Sequence, residues 1–167
     1  MEEEKSSEKS KQGKKNRAAG QRFEAKARQE LENLGWIVSK WMNTVDYDRN
    51  GNAGKLVPSK RKYNPFMKAM TIGTGFPDFV CFRRTTSGFF PAPATQHEVE
   101  SGRKNDDEKY EVIGVEVKAN GYLDQIEKGM CFWLLENKIF SRILIARKSK
   151  EGRGIDYVDF MEKYHKE

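Results

Sequence analysis

The chain has 167 residues, of which 34% are charged and 37% hydrophobic, and this length suits one domain with its own core. It has neither an apolar run near the roughly 20 residues that span a membrane nor the apolar stretch of a secretory signal, so we expect a cytoplasmic protein. Two cysteines and two distant histidines argue against a disulfide framework and a zinc site, whereas the net charge of +6 favours anionic partners.

The first 41 residues predict a tail, a helix and a strand. Residues 1–17 contain almost no hydrophobic side chains, which predicts a disordered charged tail in front of a single domain over residues 18–167. Residues 20–34 have apolar side chains at helical spacing and predict an amphipathic helix, with Glu24 at the edge of its apolar face. The β-forming residues 36–41 predict the first strand.

The middle of the chain predicts less regular structure. Residues 43–63 are polar and contain glycine, which predicts a loop, and residues 65–71 are expected to add a short helical turn. Residues 76–82 predict a compact apolar strand, whose hairpin partner is expected to begin at residues 89–90. Two prolines and a run of charges over residues 91–109 predict a flexible acidic insertion.

The last third of the chain has the clearest periodicity. Residues 110–118 predict a strand, residues 122–137 a helix with its apolar side chains on one side, and residues 142–147 a further strand. A short strand and a terminal helix are expected from residue 154 onwards. This order of elements predicts an α/β fold with a central mixed β-sheet flanked by helices.

Three polar side chains stand out against the apolar strands. Because side chains alternate along a strand, Glu116 and Lys118 share one face, while Ile113, Val115 and Val117 share the other. Asp78 lies at the start of an apolar strand, where a carboxylate is costly unless it is paired or bound to metal. If the two strands are neighbours, Asp78 and Glu116 converge and supply the hard oxygen ligands that Mg²⁺ prefers. Lys118 would then orient or help deprotonate the attacking water and stabilise charge on the phosphate.

These residues carry a family resemblance. The Pro-Asp pair at positions 77–78, followed by Glu-Val-Lys at positions 116–118, is similar to the signature of the PD-(D/E)XK, or restriction-endonuclease-like, nucleases. The similarity in element order extends over residues 20–147 and is greatest to the archaeal Holliday junction resolvases and related small nucleases. It implies a restriction-endonuclease-like core and a metal-dependent endonuclease that hydrolyses DNA phosphodiester bonds in branched or junction DNA.

The resemblance also implies roles for individual residues. Asp78, Glu116 and the Val117 carbonyl would ligate Mg²⁺, for which Mn²⁺ would substitute, and Glu24 would join them directly or through water. In such families the helix after the Glu-x-Lys strand often carries a glutamine, and Gln125 matches it. Junction resolvases act as symmetric homodimers, although the sequence shows no unambiguous dimer face.

A basic stretch precedes the Asp strand. Residues 49–77 contain six Lys or Arg and no acid, which indicates a surface that faces phosphates. The predicted DNA-binding residues are Lys55, Lys60, Arg61, Lys62 and Lys68. The insertion at residues 91–109 is acidic, so we do not expect it to contact DNA.

Two other functions are compatible with parts of the sequence. A non-catalytic nucleic-acid-binding module could use the same fold, but such modules normally lack one of the acids or the lysine, and all are present here. Residues 46–51 copy the first half of an EF-hand loop, which would suit a calcium-sensing or partner-binding protein. Its twelfth position would be Val57 in place of the bidentate Glu, and Pro58 follows where a helix is needed.

Overall fold

The structure, a computed structural model, describes residues 2–47, 53–64, 69–72, 75–85 and 109–164. Within these ranges the helices are α1 (Glu2–Asn33), α2 (Gln125–Glu136) and α3 (Phe160–Tyr164). The strands are β1 (Ile37–Lys40), β2 (Asn43–Tyr47), β3 (Ala53–Pro58), β4 (Arg61–Asn64), β5 (Ala69–Ile72), β6 (Phe79–Thr85), β7 (Lys109–Val117), β8 (Arg142–Lys148) and β9 (Ile155–Asp159). None of the helices in the described ranges combines the length and the apolar character that a membrane crossing requires.

Five strands form the central sheet, in the order β1-β6-β7-β8-β9. β7 and β8 run parallel, and the other neighbouring pairs are antiparallel. Parallel neighbours need a crossover connection, and α2 supplies it between β7 and β8. The predicted α/β fold with a mixed sheet flanked by helices is therefore confirmed.

Apolar side chains cover both faces of this sheet. On one face Ala27 and Leu31 of α1 pack with strand residues that include Val115. On the other face Leu134 of α2 and Phe160 of α3 belong to a second buried cluster. Successive strand side chains point to opposite faces, so the sheet serves both clusters at once.

The first helix begins much earlier than predicted. Residues 2–17, expected to form a disordered tail, belong to α1. This segment has no proline and is rich in Glu and Lys, which are good helix formers. The side chain of Gln12 also donates to Asn16 one turn further on, at 2.9 Å. The apolar periodicity therefore marked where the helix packs against the sheet and not where it begins.

The predicted loop over residues 43–63 is wrong where the structure describes this segment, because residues 43–47, 53–58 and 61–63 lie in strands. Residues 69–71 of the predicted helical turn over residues 65–71 also lie in a strand, and residues 65–68 fall outside the described residues. β2 pairs with β3, and β4 pairs with β5, each in an antiparallel pair outside the central sheet. Val45 of β2 is buried against the cluster beneath α2, and this packing stabilises strands that contain few apolar residues.

The EF-hand-like segment and the segment over residues 89–109 are described only in part or not at all. Residues 46 and 47 belong to β2 and residue 53 begins β3, so the segment that resembled an EF-hand loop is flanked by strands instead of the helices of an EF-hand. The expected strand at residues 89–90 and the acidic insertion lie outside the described residues, except for residue 109, which begins β7.

Candidate active site

A glycine brings the segment before β6 close to the end of β1. A Cβ atom on Gly75 would lie 2.3 Å from the Trp41 carbonyl oxygen and 2.6 Å from that of Asn43, so no side chain fits there. Phe76 donates its N–H to the Asn43 carbonyl at 2.9 Å, and Trp41 donates its N–H to the Asp78 carbonyl at 3.0 Å. Backbone contacts therefore position Asp78 where it enters β6.

Pro77 packs this segment against the neighbouring strand. The Phe76–Pro77 peptide bond is cis, and the proline ring is fully buried. A Cβ atom on Gly114 of β7 would lie 2.8 Å from the Pro77 Cγ atom and 3.1 Å from the ring of Phe140. Gly114 thus makes room for the proline of the Pro-Asp pair.

The two carboxylates of the site are joined by reciprocal hydrogen bonds to the backbone. In the antiparallel register Phe79 lies opposite Val115, so Asp78 and Glu116 follow on as opposing residues. The Asp78 N–H donates to Glu116 Oε2, and the Val117 N–H donates to Asp78 Oδ2, each at 3.0 Å. Glu116 is buried, with 5% of its surface exposed. The predicted convergence of Asp78 and Glu116 is confirmed.

Lys40 of β1 joins Asp78 to the helix α1. Its Nζ atom lies 3.4 Å from Asp78 Oδ1 and forms an ion pair with Glu24 Oε1. The same ammonium group lies 4.9 Å from the centre of the Phe79 ring. Glu24 therefore reaches the site, as predicted, but through a lysine that the sequence did not indicate.

Lys118 has an equivalent position beside Glu116. Its Nζ atom lies 3.3 Å from Glu116 Oε1 and donates to Glu127 Oε1 at 2.5 Å. Glu127 belongs to the capping box of α2: its side chain accepts from the Asp124 N–H at 3.0 Å, and its N–H donates to the Asp124 side chain at 2.8 Å. The start of α2 thus holds the lysine.

Burial dominates the electrostatics of the carboxylate pair. It raises the pKa of Glu116 to about 8, together with the charge of Asp78, and Lys118 opposes this effect only in part. Burial also raises the pKa of Asp78, although the hydrogen bond from Val117 and the charge of Lys40 lower it. For both lysines burial lowers the pKa, but hydrogen bonds and charges of the neighbouring acids outweigh it, so each pKa is raised. The lysines are therefore firmly cationic.

These groups line an open cleft of about 490 Å³ between α1, the β6–β7 pair and the start of α2. Glu24, Asp78, Glu116, Val117 and Lys118 are all among its lining residues. The cleft is large enough to admit a phosphodiester group together with water. Four of the five predicted catalytic side chains therefore meet at one place.

The structure does not bring Gln125 to this place. Gln125 is the first residue of α2, and its side chain is exposed and does not line the cleft. Glu127, two residues further on, faces Lys118 instead. The sequence contained a signal for Glu127, because Asp124 and Glu127 have the spacing of a capping box.

Of the five predicted DNA-binding residues, the two whose side chains are described do not line the cleft. Lys55 of β3 and Lys60 are exposed and do not line it. Arg61 and Lys62 belong to β4, and only their backbone is described. Lys68 lies outside the described residues.

The donor atoms of the cleft suit a hard divalent cation. Within the described ranges no three or more His, Cys, Asp or Glu side chains are already gathered as a metal site, and the second oxygen of each carboxylate contacts a lysine. Carboxylates are nevertheless the ligands that Mg²⁺ prefers, and a cation would offset the cost of burying Glu116 and partly burying Asp78. The Val117 carbonyl belongs to the same stretch of β7 whose N–H meets Asp78. Asp78, Glu116 and Val117 could therefore hold the ion together.

Comparison of the chain with protein-family models, with curated proteins and with solved structures finds no significant match.

Proposed function

We propose that this chain is a metal-dependent endonuclease of the PD-(D/E)XK type, with a restriction-endonuclease-like core, that hydrolyses DNA phosphodiester bonds. The observation that carries the proposal is the pair of carboxylates, Asp78 and Glu116, held by each other's strand beside Lys118 in an open cleft. Burying a carboxylate costs free energy, and a pair costs more because the two charges repel. A pair retained in a cleft supports a chemical role.

The charged residues of the cleft and the Val117 carbonyl would have separate roles in catalysis. A bound Mg²⁺ or Mn²⁺ would supply Lewis-acid activation of a phosphodiester oxygen and of the attacking water. Asp78, Glu116 and the Val117 carbonyl would hold the ion, and Glu24 would contribute from α1. Lys118 can donate to a water molecule or a phosphate oxygen while Glu127 keeps it in place.

The experiment is a cleavage assay on labelled four-way junctions, flaps, linear duplexes, single strands and RNA, with Mg²⁺, Mn²⁺ or EDTA. We expect cutting that EDTA abolishes and that Asp78→Asn or Glu116→Gln lowers by at least about a hundredfold. Glu136→Gln is the matched control, because this exposed acid lies at the far end of α2. Paired nicks across a junction would identify a dimeric resolvase. A single cut at a flap would identify a repair nuclease.

Three outcomes contradict parts of the proposal. If no substrate is cut with either metal, the protein is not a nuclease of this type. Binding without cutting would favour the non-catalytic nucleic-acid-binding module. Cutting that survives both Asp78→Asn and Glu116→Gln would place the active site elsewhere.

A further inference from the structure

A second cleft lies between α1 and the turn that joins β8 to β9. It has a volume of about 340 Å³ and is lined by residues of two elements that are distant in sequence. Its lining includes three cationic residues, Lys26, Lys148 and Arg153, and no acidic residue among those that the structure describes. The single acid of the turn, Glu151, is exposed and does not line the cleft. The lining of the second cleft is therefore positively charged.

These cations differ from other basic residues that surround the sheet. Arg28, Arg83, Arg142 and Arg147 each form an ion pair with an acid. In the described part of the chain, by contrast, none of the three cations of the second cleft forms an ion pair with an acid. Their charges therefore stay available to an anion that enters the cleft.

A contact of Lys26 ties the two walls of the cleft together. Its ammonium group donates to the carbonyl of Arg153, and because a carbonyl is not a carboxylate, the charge of Lys26 is not neutralised. Ser149 adds a polar group at the same wall: its Oγ atom accepts from the Glu151 N–H at 3.3 Å, which leaves its hydroxyl hydrogen available to donate. Ammonium, guanidinium and hydroxyl donors are the groups that bind phosphate oxygens.

The two clefts are neighbours. Phe23 of α1 lines both of them, and Glu24 of the candidate active site follows it directly in the chain. We propose that the second cleft binds a backbone phosphate of the same nucleic-acid strand whose scissile phosphate enters the first cleft. This inference rests on the proposed function, and it predicts that the strand passes over Phe23. It places a DNA-binding surface on the β8–β9 turn, which is not part of the basic stretch predicted at residues 49–77.

The test measures DNA binding by fluorescence anisotropy in EDTA, where no cutting occurs. The probes are a labelled single-stranded oligonucleotide and a labelled duplex, titrated at several salt concentrations. Lys148→Glu and Arg153→Glu are compared with Lys138→Glu, which makes the same charge change on an exposed residue in the turn between α2 and β8. Far-UV circular dichroism checks that all three variants fold.

We expect each variant of the second cleft to weaken binding roughly fivefold or more at moderate salt. The slope of log K against log salt should become shallower by about 0.7 to 0.9 for each phosphate that the variant no longer binds. Lys138→Glu should leave both quantities close to the wild-type values. Equal losses of affinity in all three variants would show that the effect comes from the net charge of the protein and not from this cleft. Unchanged salt slopes in Lys148→Glu and Arg153→Glu would show that no phosphate binds in the cleft. Either result overturns the inference.

A separate cleavage assay on the wild-type protein distinguishes this inference from the proposed function. A protein that cuts DNA while its cleft variants bind like the wild type retains the nuclease function without the second site. A protein that binds DNA through this cleft but never cuts has the site without the nuclease function. A wild-type protein that binds no DNA contradicts both.

Discussion

Replacing Glu116 by glutamine should make the metal-free protein more stable at alkaline pH. Glu116 is buried, and its pKa is raised from 4.5 to about 8 in the folded protein. A raised pKa means that the folded state favours the protonated acid. The stability associated with that proton is complete below pH 4.5 and is lost as the pH rises to about 8.

The size of the effect follows from the pKa difference. At about 1.4 kcal/mol per pKa unit, ionising Glu116 lowers the free energy of unfolding by a few kcal/mol, with ~5 kcal/mol as the ceiling. Glu116→Gln removes this effect and keeps an oxygen for the Asp78 N–H. Lys118 still has Glu127 as its partner. The variant should therefore gain stability relative to the wild type across this pH range.

The assay is urea unfolding in EDTA at pH 5.5 and pH 8.5, followed by circular dichroism. We expect the difference in free energy of unfolding between Glu116→Gln and the wild type to increase by about 2–4 kcal/mol between the two pH values. Glu136→Gln, which replaces an exposed acid, is the control and should show a difference that does not change with pH. A Glu116→Gln variant that is no more stable than the wild type at pH 8.5 would refute the reasoning.

Two further predictions concern the residues that hold the site. Glu127→Ala should lower the cleavage rate by about tenfold or more, because Lys118 loses the carboxylate that holds it. Asp124→Ala is the control: it removes the cap of α2, which lowers the free energy of unfolding by about 1 kcal/mol, as the loss of Glu127 from the capping box also does. Asp124→Ala should retain cleavage. Equal rates in these two variants would assign Glu127 to the helix alone. Gly75→Ala should lower the free energy of unfolding by about 1–3 kcal/mol, because its Cβ atom would meet a backbone carbonyl at 2.3 Å. Gly13→Ala, whose Cβ atom meets nothing within 4 Å, should not destabilise the protein in the same urea titration.

The strands of the site could be predicted from the sequence because their signal is local. Alternation along the strand predicted over residues 110–118 assigns Glu116 and Lys118 to one face without any knowledge of the neighbouring strands. A lone Asp before an apolar strand is equally visible. Pairing of β6 with β7 then brings Asp78 and Glu116 together, and this step needed only the assumption that the two strands are neighbours.

Lys40 could not be predicted in this way. Its contact with Asp78 depends on β1 lying beside β6, in a register that puts Lys40 opposite Phe79. No periodicity within residues 36–41 reveals that register. The strands β2 and β3 were missed for a similar reason, since packing against α2 stabilises them and their own composition does not.

The reciprocal hydrogen bonds between Asp78 and Glu116 have a practical consequence for trapping a complex. Both donors are peptide N–H groups, which no side-chain substitution short of proline can remove. An amide at either position still offers an oxygen to its donor, so Asp78→Asn and Glu116→Gln preserve the arrangement of the strands while they withdraw negative charge from the cleft. Such isosteric variants are the natural reagents for capturing uncut nucleic acid on a correctly folded protein.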